Sequence, residues 1–268
     1  MKKEKKKIHI IIQARLESTR FPNKILETLN KKTILKTLLD RLKRSKIAEK
    51  IIVAIPKNKR NLALKNYILR NKSIKIYEGS LQNVLSRYFG AAKKFSSEII
   101  VRITSDCPLI DTEILDKMVL KFIELKVDYL SNTLNPTFPD GYDIEIFNFK
   151  TLKETFVNAK KLIDQEHVTS YMKRNKKKFK LKNYFHKVNL SNLRLTLDEK
   201  VDFELISNVT NEMKNKYFFG LNDVEELYKK NPKLFNLNSH IKRDEGFLLS
   251  KGQKLWRRAQ QVIPNGNM

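Results

Sequence analysis

The sequence of 268 residues predicts an α/β protein built on a doubly wound, mainly parallel sheet with helices on both faces. Two observations support this fold class. Short apolar runs rich in β-branched residues recur along the first half of the chain, as expected for strands that are buried on both faces. Segments with apolar residues at helical spacing separate these runs, and this alternation is typical of a parallel sheet.

Individual elements follow from the same pattern. Strands are predicted at residues 8–12, 51–55, 74–77 and 98–104, and helices at residues 34–42, 62–69, 84–92 and 114–125. Thr33 is placed to cap the first of these helices, and Pro56 to end the second strand.

The pattern changes after residue 128. A half-buried strand is predicted at residues 142–147, helices at 152–162 and 167–172, and an extended segment at 179–188. A short strand at residues 194–197 should lead into a helix at 203–209. We therefore predict one domain over residues 1–230, followed by a linker and a helical tail over residues 231–268, with an amphipathic helix at 247–263.

Composition excludes several classes of protein. Hydrophobic residues make up 41% of the chain, which is enough for a folded core. No apolar run approaches the roughly 18 residues that a membrane span requires. The single cysteine, Cys107, excludes an internal disulfide and a cysteine-cluster zinc site, and we interpret it as a packing residue rather than a nucleophile. A cytoplasmic location is predicted.

The net charge of +26 has two interpretations. A basic protein of this kind binds nucleic acid if its cations form a continuous surface. The 55 basic residues are 13 Arg and 42 Lys, however, and the Lys residues are scattered along the whole chain. Specific reading of phosphates or bases usually depends on clustered Arg and aromatic residues. We therefore predict no specific nucleic-acid partner, and a basic nucleic-acid-binding protein remains an alternative.

The first segment with chemical content is the polar loop that follows the first predicted strand. Within residues 13–24 it carries three cations, Arg15, Arg20 and Lys24, and the hydroxyls of Ser18 and Thr19. A triphosphate spreads its charge over many oxygens and needs such a dispersed cradle. The loop lacks the glycine pattern of a P-loop. A basic surface loop without a ligand is the alternative.

Two aspartates end predicted strands and are candidate metal ligands. Asp106 follows the strand at 98–104 and Asp198 follows the strand at 194–197. Both should reach the carboxyl edge of the sheet, where they would repel each other unless a divalent cation lay between them. A turn-forming role for Asp106 is the alternative. Asp202 and Glu204 lie at the start of the helix that is predicted next. A favourable interaction with the helix dipole explains both charges there without a functional role.

A third group of carboxylates lies in the predicted strand at 142–147. Asp143 and Glu145 are two residues apart, so they should point to the same side of this strand. Over a pocket they would bind sugar hydroxyls. They also fit the carboxylate-x-carboxylate metal motif of glycosyltransferases, and on an open face they would be ordinary solvated charges.

Six ordered blocks resemble one known family. They are Ile12-Gln13-Ala14-Arg15 through Ser18-Thr19-Arg20-x-Pro22-x-Lys24; Val84-Leu85-x-Arg87-Tyr88; Val101-Arg102-Ile103-Thr104-x-Asp106-Cys107-Pro108-Leu109-Ile110; Pro139-Asp140-Gly141-x-Asp143-x-Glu145; Glu166-His167-Val168-Thr169; and Arg194-Leu195-Thr196-x-Asp198. The resemblance is to cytidylyltransferases of the spore-coat polysaccharide synthesis type, related to CMP-3-deoxy-manno-octulosonate and CMP-sialate synthetases. It spans residues 8–209 and implies the three-layer, Rossmann-like fold of nucleotide-diphospho-sugar transferases.

The resemblance implies an activity and a set of roles. The enzyme would move CMP from CTP to a sugar or sugar-acid acceptor, release pyrophosphate and use Mg²⁺ or Mn²⁺ held by Asp106 and Asp198. The implied catalytic residues are Arg15, Lys24, Asp106 and Asp198. The implied nucleotide-binding residues are Gln13, Ala14, Arg15, Ser18, Arg20, Lys24, Gly79, Ser80, Arg102 and Thr104. The implied acceptor-binding residues are Arg87, Asp143, Glu145 and His167.

Some points depart from this pattern or stay open. Glu17 and Asn23 stand where the family commonly has glycine, which questions the path of the phosphate loop. His167 is equally compatible with an ordinary helix histidine. A nucleotide-sugar-dependent glycosyltransferase remains the alternative enzyme class. The acceptor is not readable from the sequence, and a homodimer is compatible with the resemblance.

The tail resembles a second family. Leu249-Ser250-Lys251, Leu255, Arg258-Ala259 and Val262-Ile263-Pro264-Asn265-Gly266 are similar to the opening helix of glutamate-1-semialdehyde-type aminotransferases. No catalytic lysine region accompanies them, so they imply no second activity in this chain. They suggest a fused or partner aminotransferase.

Overall fold

A seven-stranded sheet forms the centre of the computed structural model, which describes residues 6–216 and 218–243. The strands, in the order in which they lie in the sheet, are β5 (Ile74–Gly79), β4 (Lys50–Pro56), β1 (Ile8–Gln13), β6 (Ile99–Thr104), β8 (Glu145–Asn148), β7 (Tyr129–Ser131) and β9 (Leu181–Asn183). Only β8 runs antiparallel to its neighbours in this sheet. Two further strands, β2 (Thr28–Leu29) and β3 (Lys32–Thr33), form a small hairpin.

Helices cover both faces of the sheet. On one face lie α1 (Ile34–Leu42), α2 (Leu62–Leu69) and α4 (Thr112–Leu125), and on the other lie α3 (Val84–Lys94), α5 (Phe149–Asn158), α6 (Leu162–Glu166) and α7 (Ser170–Arg174). Successive β1 residues divide between the faces, since Ile10 and Ile12 join the first core and Ile11 the second. The predicted fold, a doubly wound and mainly parallel sheet in three layers, is confirmed.

A third apolar core joins the last part of the described chain to the loops at the edge of the sheet, through residues such as Leu109 and Tyr142. Helices α8 (Lys200–Glu212) and α9 (Leu221–Lys230) pack with the 3₁₀ helix Pro232–Asn236 around buried Leu205, Val224 and Phe235. Asn238 is also buried, and its amide donates to the carbonyl of Arg194 at 3.1 Å. Residues 232–241 therefore pack on the main body, beyond the boundary predicted at residue 230.

Several predicted elements are displaced or absent. The strand predicted at 194–197 is reduced to one bridge between Asp140 and Arg194, because the N–H of Leu197, further along, bonds to Asp106 instead and no ladder continues. The strand predicted at 142–147 begins only at Glu145. The helix predicted at 152–162 starts earlier, at Phe149, and ends at Asn158. The helix predicted at 167–172 begins only at Ser170, because residues 167–169 form a turn after α6.

The helix predicted at 247–263, and the aminotransferase resemblance that it carries, lie outside the described residues. Among the helices that the structure describes, none combines the length and the apolar character that crossing a membrane demands.

Buried His9 should make stability depend on pH. Burial, with a further contribution from Lys50, lowers the pKa of His9, whose Nδ1 lies 2.7 Å from Ser97 Oγ. The native state therefore binds fewer protons than the unfolded state as pH falls through the ordinary histidine pKa of about 6.5. Stability from this group should be complete above that pH and decline below it, by at most about 1.4 kcal/mol per pH unit.

Urea unfolding of wild type and His9→Gln between pH 5 and pH 8 measures this effect. We expect a shallower loss of stability on the acid side in the variant. Identical slopes would contradict a buried neutral His9.

Candidate active site

The candidate site lies at the carboxyl edge of the sheet, where the chain order reverses. Strand β1 has β4 on one side and β6 on the other, and Gln13 at the end of β1 pairs with Thr104 at the end of β6. Open α/β sheets bind ligands at such a switch point. The polar loop after β1 and the loop that carries Asp106 are thereby brought side by side.

Hydrogen bonds hold the side chain of Glu17, which stands where the family resemblance implies a glycine. Asn58 and Asn61 donate amide hydrogen bonds to the Glu17 carboxylate at 2.8–3.0 Å. Burial alone would raise the pKa of Glu17, but these hydrogen bonds outweigh it and lower the pKa. Glu17 is therefore a brace between this loop and the segment that precedes α2.

Asn23, the other departure from glycine, occupies a left-handed conformation with φ 58° and ψ 12°. Asparagine is the residue besides glycine that tolerates this region best. The bend at Asn23 starts the short 3₁₀ helix Lys24–Leu26 and directs Lys24 inward. The loop thus follows the path that a glycine would permit.

Substitutions at Asn23 test this bend. Asn23→Ala should destabilise the protein by about 1 kcal/mol, since a Cβ without a compensating polar group is disfavoured in this region. Asn23→Gly should be nearly neutral or slightly stabilising. Thermal melts of both variants provide the measurement, and equal stability of the two would argue against a strained left-handed residue.

Lys24 brings the two predicted metal ligands together. Its ammonium lies 2.8 Å from Asp198 Oδ1 and 3.6 Å from Asp106 Oδ2, and it also donates to the carbonyl of Leu197. The predicted convergence of Asp106 and Asp198 is therefore present. The expected repulsion between them is not, because an internal cation offsets their charges.

Arg20 adds a second cation to the same carboxylate. Its guanidinium lies 3.0 Å from Asp198 Oδ1 and 3.6 Å from Glu199 Oε1, with 38% of the side chain exposed. Burial alone would raise the pKa of Asp198, but Lys24 and Arg20 outweigh it and lower the pKa to about 2. Asp198 is thus held ionised, as a metal ligand must be.

A buried network that the sequence pattern did not predict holds the backbone at Asp198 in place. Arg194 forms a bidentate pair with Asp202 at 2.9 Å and contacts Asp140 at 3.0 Å. Asp202 is 0% exposed and accepts the backbone N–H groups of Asp198 and Glu199, each at 2.9 Å. It therefore caps α8 and fixes the backbone of the candidate ligand at once.

Asp140 is a further carboxylate at this site, and it was not among the site residues predicted from the sequence. Burial raises its pKa to about 6, although Arg243 and Arg194 act in the opposite direction. Its backbone pairs with the segment that leads to Asp198, since Leu195 N donates to Asp140 O at 2.7 Å. Gly141 permits this close approach: its φ is +100°, and a Cβ there would lie 2.4 Å from the carbonyl carbon of Leu195.

The predicted pair Asp143 and Glu145 does not form one strand face. Glu145 is 3% exposed, and its oxygens are held by Arg102, Lys173, Tyr129 and Thr169. Burial would raise its pKa, but Lys173 and Arg102 lower it strongly. Asp143 precedes β8 and pairs with Arg243. Protein side chains therefore engage both oxygens of Glu145, and its acceptor-binding role stays a prediction.

Arg102, predicted to approach the base, is committed to this buried cluster. It pairs with Glu145 through Nη1, donates to Gln13 Oε1 at 3.1 Å through Nη2, and lies over the ring of Tyr88. The ionic partner outweighs burial and raises its pKa. Gln13 and Thr104 remain at the edge beside it, whereas His167 lies in the turn between α6 and α7.

Gly79, Ser80 and Arg87 lie on the β5 side of the site. Gly79 ends β5, and its missing side chain makes room for Arg87, whose Cγ would lie 2.8 Å from a Cβ there. Arg87 is 2% exposed and donates to the carbonyl of Ser80 at 2.7 Å. Burial lowers its pKa to about 10. Arg15 is exposed on the loop, and Ser18 accepts from Phe21 N at 3.3 Å.

The chemistry of the donor set fits a hard divalent cation that has other ligands as well. Asp106 and Asp198 supply carboxylate oxygens, which Mg²⁺ prefers, and a cation already lies between them in the form of the Lys24 ammonium. Within residues 6–216 and 218–243, no cluster of three or more His, Cys, Asp or Glu residues could hold a metal alone. Further ligands would have to come from phosphates and water.

Cys107 takes no part in this donor set. It is buried, and burial raises the pKa of its thiol well above the usual value. This environment supports its interpretation as a packing residue, because the thiolate is the nucleophilic form.

Comparison with known proteins decides the family. A family model described as cytidylyltransferase matches residues 9–241 of the chain. The chain belongs to the cytidylyltransferase family. The predicted family is confirmed, and the match extends past the six blocks into the segment that packs Phe235 and Asn238 onto the core.

Three similar proteins illustrate the relationship. An uncharacterised protein of Methanocaldococcus jannaschii is 35% identical over 246 residues, which cover 88% of this chain and 96% of that protein. The spore coat polysaccharide biosynthesis protein SpsF of Bacillus subtilis is 27% identical over 232 residues, covering 84% and 95%. A solved cytidylyltransferase from Leptospira borgpetersenii has 35% identity and a TM-score of 0.80, covering 86% of this cytidylyltransferase and 97% of that chain.

Proposed function

We propose that this cytidylyltransferase transfers CMP from CTP to a sugar or sugar-acid acceptor and releases pyrophosphate. The observation that carries the proposal is the meeting of the cationic loop after β1 with Asp106 and Asp198 at the switch point of the sheet. The family description supports a cytidine nucleotide as the donor. Similarity to SpsF supports a role in surface polysaccharide synthesis.

The reaction needs positioning and charge stabilisation more than covalent chemistry. An oxygen of the acceptor attacks the α-phosphorus, and the bond to the β-phosphate bridging oxygen breaks as pyrophosphate leaves. Arg15, Arg20 and Lys24 are within one short loop and would bind the phosphate oxygens, where negative charge accumulates. Asp106 and Asp198 would hold Mg²⁺ or Mn²⁺, which supplies Lewis-acid stabilisation of the phosphate oxygens when bound.

The remaining roles are those that the family resemblance implies. Gly79, Ser80 and Thr104 would border the nucleoside, and Arg87 and Asp143 would lie toward the acceptor. Gln13 and Arg102 would lie beneath the bound nucleoside, and Arg102 is held in place by Glu145. A cytoplasmic location, a homodimer and an aminotransferase partner remain predictions.

The glycosyltransferase alternative is less well supported. Its metal motif would be Asp143-x-Glu145, but Glu145 is buried and its oxygens are engaged by four protein side chains. A carboxylate enclosed in this way has no free oxygen to offer a metal.

A matrix of four nucleoside triphosphates and a small acceptor panel tests the proposal. The panel should hold acidic keto-sugars, phosphosugars and phosphorylated polyols, with Mg²⁺ present and pyrophosphate release as the readout. We expect release with CTP and one acceptor class, and little with the other nucleotides. Preference for another triphosphate, or no pyrophosphate release from CTP with any acceptor, would overturn the assignment.

A further inference from the structure

The ammonium of Lys24 lies where the divalent cation of the proposed mechanism would bind. It contacts both candidate ligands, at 2.8 Å from Asp198 and 3.6 Å from Asp106, and its third contact is the carbonyl of Leu197. Only 11% of the side chain is exposed. This ammonium is therefore enclosed by acceptors and does not extend toward solvent, where a phosphate would first arrive.

Both candidate ligands already have cationic partners. Lys24 and Arg20 lie within 3.6 Å of Asp106 and Asp198, and Arg194 lies 3.4 Å from Asp198 Oδ2. Arg20 is shared with Glu199, and Arg194 with Asp140 and Asp202, so Lys24 is the cation that belongs to the two candidate ligands. A free dication that approached these two carboxylates would be repelled by the Lys24 ammonium and would have to displace it.

The two loop cations differ from Arg194 in the kind of contact that holds them. Arg194 is 6% exposed and is fixed by its bidentate pair with Asp202. The Lys24 ammonium is a point charge on an unbranched chain, and 38% of the Arg20 side chain is exposed, so a ligand with several strong acceptors can redirect both cations. A nucleotide triphosphate supplies such acceptors, together with the metal that it chelates.

We propose that Lys24 occupies the metal's place in the nucleotide-free protein, so that the divalent cation enters only together with the nucleotide. The phosphates would then take over Lys24 and Arg20 and leave Asp106 and Asp198 for the metal. Metal and nucleotide binding are thereby positively coupled, and the coupling is reciprocal. This inference rests on the proposed function, since it assumes that a nucleotide–metal complex is the substrate.

Binding of Mn²⁺ without nucleotide tests the inference without any turnover. Electron paramagnetic resonance titrations with MnCl₂ would compare wild type with Lys24→Met, which keeps an unbranched side chain that is one atom shorter and removes its charge. We expect the variant to bind Mn²⁺ about tenfold more tightly or better, because one positive charge next to the carboxylates is gone. Adding Asp198→Asn to Lys24→Met should cancel the gain.

A matched control removes a lysine charge elsewhere. Lys36 pairs with Asp40 on the surface of α1, and Lys36→Met should leave Mn²⁺ affinity at the wild-type value. Lys24→Gln gives the same comparison if the Met variant does not fold. Equal Mn²⁺ affinity in wild type and a folded Lys24 variant would overturn the inference, as would tighter binding that survives Asp198→Asn.

These outcomes are separate from the fate of the proposed function. If wild type releases pyrophosphate from CTP but its Mn²⁺ affinity does not depend on Lys24, only the inference fails. If wild type releases no pyrophosphate from CTP with any acceptor, the proposed function fails, whatever the Mn²⁺ titrations show.

Discussion

Asp198→Asn is expected to lower the rate of pyrophosphate release from CTP by about a hundredfold or more, and Asp106→Asn should act in the same way. Each change keeps the shape of the side chain and removes one negative charge from the pair that Lys24 bridges. A neutral amide is a poor ligand for a hard divalent cation, so transition-state charge would lose its main support. Initial rates at saturating CTP and increasing Mg²⁺ provide the measurement.

The stability of these variants distinguishes the observed site from a site with two uncompensated carboxylates. Removing one of two repelling charges would raise the melting temperature of the nucleotide-free protein. Because Lys24 and Arg20 offset the charges here, we expect Asp198→Asn to melt at an equal or lower temperature. Glu204→Gln, at an exposed position of α8, is the matched control and should change neither rate nor stability. Near-normal turnover in both aspartate variants would contradict the placing of the site.

Asp202→Asn should destabilise the protein by roughly 3 kcal/mol, because one charge of a buried ion pair is removed. Asp202 is 0% exposed and receives Arg194, the amide of Asn238 and two backbone N–H groups. An amide nitrogen in place of one carboxylate oxygen would face donors. Turnover of the folded fraction should fall as well, since Asp198 loses its backbone support.

Urea unfolding and a kinetic assay at a temperature where the variant is folded separate the two effects. Asp40→Asn is the control for an aspartate with two lysine partners, Lys32 and Lys36, nearer the surface. Its cost should stay below about 1 kcal/mol, as for other surface ion pairs. Equal losses in Asp202→Asn and Asp40→Asn would contradict a supporting network beneath Asp198.

The regular parts of the fold were readable from the sequence because burial on both faces leaves a clear pattern. Strand β4 appears as an unbroken apolar run, and β1 and β6 as runs broken by one polar residue each, whereas the edge strand β5 alternates. Helix α1 is capped by Thr33 as predicted, with Lys36 N donating to Thr33 Oγ1. Strand β7 has only three residues, too few for a periodic signal. The segment at 194–197 looks like a strand since its alternating Leu residues pack into a core, yet its backbone makes only one isolated bridge, to Asp140, and joins no ladder.

The sequence offered a set of candidate site residues, and it said less about how they are arranged. Strand ends placed Asp106 at the correct edge, and the loop motif identified Lys24. The contact between Lys24 and Asp198 joins residues 174 positions apart, and no local pattern reports it. The same holds for the support of Asp198 by Arg194 and Asp202. The available signal was Arg194 followed eight residues later by Asp202. Compensation of the helix dipole was a sufficient explanation for that aspartate in the sequence.

The most direct test of the central claim is the identity of the product. ³¹P NMR and mass spectrometry of a reaction with CTP, Mg²⁺ and the acceptor selected from the panel would detect the new bond. We expect CMP linked through its phosphate to the acceptor, with one pyrophosphate formed per product, and neither signal with Asp198→Asn. Free CMP without a linked product, or transfer of a sugar from a nucleotide sugar with no pyrophosphate, would contradict the assignment as a cytidylyltransferase that acts on a sugar acceptor.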